Sequence, residues 1–291
     1  MSEQQAPLLP RDALAGIRVG ISVSESPDLG RLGLLETHFR LALGEIARCV
    51  LASGGSLMYG GNLQPDSYTS FLMHELQRSG YRDERLHVCL AWTEHRKMGL
   101  SELKQQEKDL GLIGTITCLD GEGRVIDPRT GRDEEPSPIT DPGIQAECLT
   151  SLRRYMTENT HGRILLGGRC RDFQGNMPGL VEEALLMLEH RKPLYLAGGF
   201  GGVTSHIACA LGVSDFRAPD LPGSPPPDAR FVEGIERIRD FTSHSDWHGL
   251  DNGLTAEENQ QLTCTHRPSE IATLLSLGLG RRFSDCVQPS A

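Results

Sequence analysis

The stretch Arg163-Ile164-Leu165-Leu166-Gly167-Gly168-Arg169, followed by Pro178-Gly179-Leu180-Val181-Glu182-Glu183, decides how the chain is read. Its branched apolar run has the length and composition of a buried strand, and the glycine pair stops it. Beyond Pro178, Val181, Ala184, Leu185 and Leu188 fall on one helical face, so an amphipathic helix is predicted there. A strand that ends in Gly-Gly and turns into a helix places free backbone N–H groups and the positive helix end at the carboxyl edge of a sheet. That combination suits a phosphate.

Two further stretches repeat the arrangement. Gly55-Ser56-Leu57-Met58-Tyr59-Gly60-Gly61-Asn62 precedes a helix with Tyr68, Phe71, Leu72 and Leu76 as its apolar stripe and Asp66 as its cap. Pro193-Leu194-Tyr195-Leu196-Ala197-Gly198-Gly199-Phe200-Gly201-Gly202 runs into Val203–Leu211. Any one pair alone reads first as a tight strand-to-helix turn. Three of them favour a shared cleft, because ligands in open α/β sheets bind along the strands' carboxyl edge. Glycine, lacking a Cβ, lets backbone approach a ligand closely. The binding candidates are therefore Gly60, Gly61, Gly167, Gly168, Pro178, Gly179, Gly198, Gly199, Gly201 and Gly202.

Around these turns the rest of the chain falls into order. Residues 1–13 read as a loose tail. Ile17–Ser24 alternates as a first strand, ending in Ser22 and Ser24, which can face a ligand or simply form a turn. Leu35, Phe39, Leu43, Ile46 and Val50 form a helical stripe, closed by Ser53-Gly54-Gly55. Leu86–Ala91 and Leu112–Leu119 are predicted strands, separated by a charged surface segment from Glu94 to Asp109. Residues 120–142 read as an insertion at the sheet's edge or over the cleft. Gly143–Thr160 is a helix carrying Arg153 and Arg154 near its end. Strands and helices alternating through residues 14–212 give a doubly wound, mostly parallel, Rossmann-like α/β sheet. Residues 213–291 form a proline-rich connection and a helical extension packed on the core or on a partner subunit. Phe231–Phe241 is its first helix, Thr255-x-x-Glu258 a capping box, and Ser269 the cap of the last helix.

Composition narrows the function classes. The 291 residues are 38% hydrophobic and 23% charged, an ordinary globular balance. No apolar run reaches the length of a membrane span, and the first residues lack a secretory pattern, so a cytoplasmic protein with no membrane partner is expected. The eight cysteines are scattered without C-x-x-C spacing and read as reduced core residues. Asp246, His248 and Asp251, with His244, lack a fixed ligand spacing, so no metal site is assigned. A net charge of −10 without a basic stretch argues against a nucleic-acid partner. An acidic protein that holds an anion must concentrate positive charge locally, so Arg153, Arg154 and Arg169 carry weight. No cofactor is implied, and no P-loop pattern is present.

The glycine pattern resembles the SLOG superfamily, which includes the LOG phosphoribohydrolases, the Smf/DprA domains and nucleotide-sensing domains. Met58-Tyr59-Gly60-Gly61 is similar to the V-Y-G-G turn of LOG proteins. Arg153-Arg154-x-Met156 ahead of Ile164-Leu165-Leu166-Gly167-Gly168 resembles their R-K-x-x-M and P-G-G, and Gly179-Leu180-Val181-Glu182 their G-T-x-x-E. His95-Arg96-Lys97-Met98 resembles the R-K pattern too, at a greater distance from the glycines. The compact glycine loop of the family is opened here by Arg169–Asn176, no threonine follows, and the methionine comes one position early.

What the resemblance implies is a Rossmann-like fold over residues 15–212 and a nucleotide-derived ligand, ADP-ribose and other NAD-derived compounds included. It also implies a homo-oligomer. Two readings stay open, with a weaker third of a subunit whose C-terminal helices mainly serve assembly. The first is a sensor that binds without turnover, favoured by the opened loop, which would act through a separate effector protein. The second is an N-glycosidase with Glu182 and Arg153 or Arg154 as catalytic groups. Cleaving a nucleotide's glycosidic bond builds positive charge on ribose, which a carboxylate can stabilise while it positions water. An arginine can hold the phosphate. For Glu182 and Glu183 the plain alternative is a favourable helix-dipole contact, and for the arginines a solvated helix end.

Overall fold

In the computed structural model, residues 12–78, 80, 83–130, 132–218, 226–244 and 247–283 are described. Most of the expected tail lies outside them, as do Pro219, Pro222 and Pro225 of the proline-rich connection, Asp246 and Cys286. Six strands form one sheet: β1 (Arg18–Ser24), β2 (Ser56–Gly60), β3 (Leu86–Leu90), β4 (Gly114–Cys118), β5 (Gly162–Gly167) and β6 (Leu194–Ala197). Their order is β4-β3-β2-β1-β5-β6, and every pairing is parallel. The chain leaves β1 towards β2 on one side, whereas β5 lies on its other side. The carboxyl ends of β1 and β5 therefore flank the point where strand order reverses, the place where doubly wound sheets open a crevice.

The helices are α1 (Glu36–Ala52), α2 (Tyr68–Arg78), α3 (Trp92–His95), α4 (Leu100–Leu110), α5 (Pro142–Glu158), α6 (Gly179–Glu189), α7 (Gly202–Ala210), α8 (Ala229–Thr242), α9 (Ala256–Cys264) and α10 (Pro268–Phe283). None of the described helices is long and apolar enough to cross a membrane. One face of the sheet carries a single apolar cluster. Ile21 and Val23 of β1 meet Phe39 and Leu43 of α1, Leu72 of α2, and Ile271 and Leu275 of α10 there. The opposite face carries two clusters. Leu165 and Leu196 pack with α6, α7 and α8, whereas Met58 and Cys89 pack with Cys148, Leu152 and Met156 of α5. Between them β1 presents Gly20, Ser22 and Ser24, since side chains alternate along a strand. That polar column breaks the face in two.

Local rules account for most boundaries. Asp141 caps α5 by accepting from the Ile144 N–H at 3.0 Å, with Pro142 in the first turn. The capping box of α9 is formed, with Thr255 and Glu258 bonding reciprocally. Three expectations are corrected. The Ser70 N–H at the start of α2 is accepted at 3.2 Å by Ser67, not Asp66, whose φ of +63° turns the chain. Ser269 lies inside the first turn of α10, behind Pro268. Leu35 stands at the start of α1 with 64% of its surface exposed, outside the apolar stripe. The insertion lies along the sheet's edge, bridging Val125 to Leu119 and bonding Ser137 and Glu134 to the α3–α4 region. The seven described cysteines are free.

Candidate functional site

A cavity of about 330 Å³ opens at the β1–β5 crevice. Ser22 and Ser24 of β1 and Gly60 of β2 form its floor, and Gly168 follows β5. Leu149 and Arg153, one helical turn apart on α5, form one wall, and Gly179 and Glu183, equally spaced on α6, form the other. The segment Arg169–Pro178 closes over the mouth, contributing Arg169, Asp172, Phe173, Gln174 and Pro178.

The floor rests on a buried charge that sequence reasoning took for an ordinary strand position. Arg163 of β5 is 0% exposed. Its register partner is Gly20, and a Cβ there would stand 3.3 Å from the Arg163 Nε, so the missing side chain leaves room for the guanidinium. Arg163 donates to the Ser22 hydroxyl at 3.0 Å and lies 3.4 Å from the Glu183 carboxylate. Its Nε and second terminal nitrogen have no partner, nor does Oε2 of Glu183. Burial pushes the Arg163 pKa down, and Glu183 opposes that shift. Burial, reinforced by Glu183, pushes the phenol of the cavity-lining Tyr59 upward. Tyr59 is thus a neutral wall residue.

Arg153 joins this network from the other wall. It donates to Glu182, which also accepts from Thr150 at 2.5 Å, and its Nε is 4.0 Å from Glu183. Its guanidinium lies across the first residue of α6, where a Cβ on Gly179 would stand 2.7 Å from it. The Val181 and Glu182 N–H groups bond the Pro178 carbonyl, so helix geometry leaves those of Gly179 and Leu180 without intrahelical acceptors, and the Pro178 position supplies no side-chain cap. The cavity therefore meets a positive helix end, a guanidinium and a carboxylate within two helical turns.

The expected site residues divide accordingly. Ser22, Ser24, Gly60, Arg153, Gly168, Arg169, Pro178, Gly179 and Glu183 line the cavity. Arg169 is half exposed at the mouth and pairs with Glu25 at 2.5 Å. Glu182 stands behind Arg153 and away from the lining, Arg154 points to solvent, and Gly61 and Gly167 pack against Tyr59 and Ser24 respectively. The four glycines after β6 are not among the lining residues, although Val203 just beyond them is. A Cβ on Gly198 would stand 2.6 Å from the Thr263 carbonyl, one on Gly199 would collide with Thr265, one on Gly201 would meet Asp28 at 2.6 Å, and one on Gly202 the Gly168 carbonyl at 2.5 Å. Counted from Gly179, the five-position G-T-x-x-E ends on Glu183, and helical phase says the same, because residues i and i+4 share a face. Arg163 was legible as a lone arginine in an apolar strand. His95, from the second R-K-like string, is buried against Leu119 and Arg132 and is not among the lining residues.

The fold and cavity define a Rossmann-like α/β protein with a crevice at its topological switch point. The SLOG cluster2 family profile matches residues 13–220, and the chain belongs to the SLOG superfamily. That membership points to nucleotide-related binding or processing. None of the curated proteins compared with the chain matches it.

Proposed function

We propose that the β1–β5 cavity binds a mononucleotide-sized, phosphate-bearing ligand, its phosphate at the start of α6. The observation that carries this is Arg153 lying across Gly179, which sets a guanidinium beside the first turn of α6 on one point of the wall. Phosphates sit at such helix ends because N–H groups and dipole act together. The volume of about 330 Å³ is at the bottom of the range for ligand pockets, about 300–1,000 Å³. A nucleoside monophosphate or a comparable fragment fits that space; a dinucleotide such as ADP-ribose has to extend past the Arg169–Pro178 segment.

The test is a thermal-shift panel of nucleoside monophosphates, ribose 5-phosphate, ADP-ribose and inorganic phosphate. A bound compound raises the melting temperature by mass action. If none does so at millimolar concentration, the reading fails.

A second reading, hydrolysis of the N-glycosidic bond, is favoured by Glu183, which lines the cavity and whose buried Oε2 has no hydrogen-bond partner. In that reaction water adds to the anomeric carbon, the carbon–nitrogen bond breaks with its electron pair passing to the base, and the base takes up a proton. Glu183 stabilises the cationic ribose and accepts a proton from the incoming water. Arg163 and Arg153 hold the carboxylate in place. Following free base in the same panel separates the readings. Release that Glu183→Gln abolishes supports the hydrolase, whereas binding without release leaves a sensor.

A further inference from the structure

We propose that Phe173 is the platform on which the aromatic base of the ligand rests, and that Arg230 of α8 holds it in place. The inference rests on the mononucleotide reading and names the part of the ligand that reading leaves open. Phe173 belongs to the Arg169–Asn176 run that interrupts the family's compact glycine loop, and it lines the cavity among polar neighbours. Its ring is half-buried. The ring packs against the apolar cluster that includes α6 and α8, and the Arg230 guanidinium lies over it, 4.4 Å from the ring centroid. The residue remains part of the cavity lining.

Arg230 is itself fixed. It donates to both carboxylate oxygens of Asp228, at 3.1 and 2.8 Å, and to the Gly175 carbonyl at 2.9 Å. Asp228 in turn accepts from the Arg230 backbone N–H at 2.9 Å at the start of α8. A side chain that stacks on the ring and bonds the same loop's backbone two residues on sets both the height and the tilt of the platform. Arginine suits this task because its flat guanidinium stacks and its fork donates in two directions. Arg230 lies beyond residues 13–220, so the helical extension takes part in the site of the family-matched core. The physical need is plain. A half-exposed ring at a polar mouth stays wetted until another flat apolar surface covers it, and nucleobases stack on aromatic side chains whatever their hydrogen-bonding edge.

The experiment is calorimetric titration of wild type, Phe173→Ala and Arg230→Ala with the four common ribonucleoside 5′-monophosphates and with ribose 5-phosphate, which carries no base. Phe173→Ala is expected to weaken the best-bound monophosphate 10- to 100-fold, the range one base–aromatic stack supplies, and ribose 5-phosphate less than twofold. Arg230→Ala is expected to act in the same direction and less strongly, and Arg230→Lys not to restore binding. Phe173→Leu keeps the apolar volume and loses the ring, so it replaces Phe173→Ala should that variant unfold. Equal losses for both kinds of probe, or no loss, overturn the platform while leaving the nucleotide reading intact. Wild type that binds ribose 5-phosphate and no monophosphate overturns it too. Wild type that binds no probe removes the nucleotide reading and the platform with it.

Discussion

The turns after β5 and after β6 look alike in sequence, each a strand ending in Gly-Gly ahead of a helix, yet they do different work. Gly168 lines the cavity, with φ of +105° and Val203 and Leu180 behind it. Gly198 and Gly199 are pressed under the backbone of Thr263–Thr265, and the loop beyond them is pinned by Asp28, which accepts from the Gly202 N–H at 2.7 Å. A glycine pair signals that something comes close to the backbone. It does not say whether that is a ligand or another piece of the chain.

The contrast can be broken from the site side first, where the largest effect is expected. Arg163→Met leaves the Glu183 carboxylate without its nearest cation and Ser22 without its donor, and removing one partner of a buried pair costs about 3–5 kcal/mol. Adding Glu183→Gln recovers most of that loss if the seam is one network, whereas independent sites give additive losses in chemical denaturation. The β6 side responds next. Gly199→Ala drives a methyl into the Thr265 carbonyl, and such overpacking costs about 1–3 kcal/mol, read as a lower denaturation midpoint with unchanged ligand affinity. If Gly199→Ala instead abolishes binding in a stable protein, the two turns are not distinct.

Gly179→Ala sharpens the comparison further. Its new methyl meets only the far end of Arg153, a flexible side chain that can swing away, so the fold survives. The guanidinium then leaves the helix end, and affinity for the best-bound monophosphate falls about tenfold, the value of one modest charge-assisted contact of about 1.4 kcal/mol. Loss of stability without loss of affinity would place Arg153 in the architecture alone.

How much of this the sequence disclosed follows from the range of each signal. Periodicity and glycine stops act locally, and they located β1, β5, α5 and α6 to within a residue or two. Ser24, Gly60 and Gly179 were legible because each closes or opens an element at the carboxyl edge. Glu183 was ranked below Glu182 although helical phase favours it over its neighbour. The β6 turn misled because the Thr263–Thr265 backbone that fills it comes from more than 60 positions downstream, beyond any local pattern. Phe173 and Arg230 escaped for the same reason, their contact joining a loop to a helix 57 residues away.

The smallest expected effect belongs to a control that touches neither turn. His87 on β3 lies half-buried beside Thr115, at 3.1 Å, and its pKa is lowered to about 4, first by burial and then by the Arg18 charge. The unfolded chain takes up a proton near the ordinary value of 6.5, whereas the folded chain resists until about 4. Stability from this group is therefore complete above pH 6.5 and is lost as pH falls through that window. Water around the ring screens the effect, which stays below about 1.4 kcal/mol per pH unit. His87→Gln should flatten that part of the melting-temperature profile between pH 7 and 4, because a side chain that does not titrate leaves no proton for the unfolded state to gain. Ligand affinity should not follow it. A His87→Gln protein that melts in parallel with wild type at every pH would mean that the ring is already wet in the folded state.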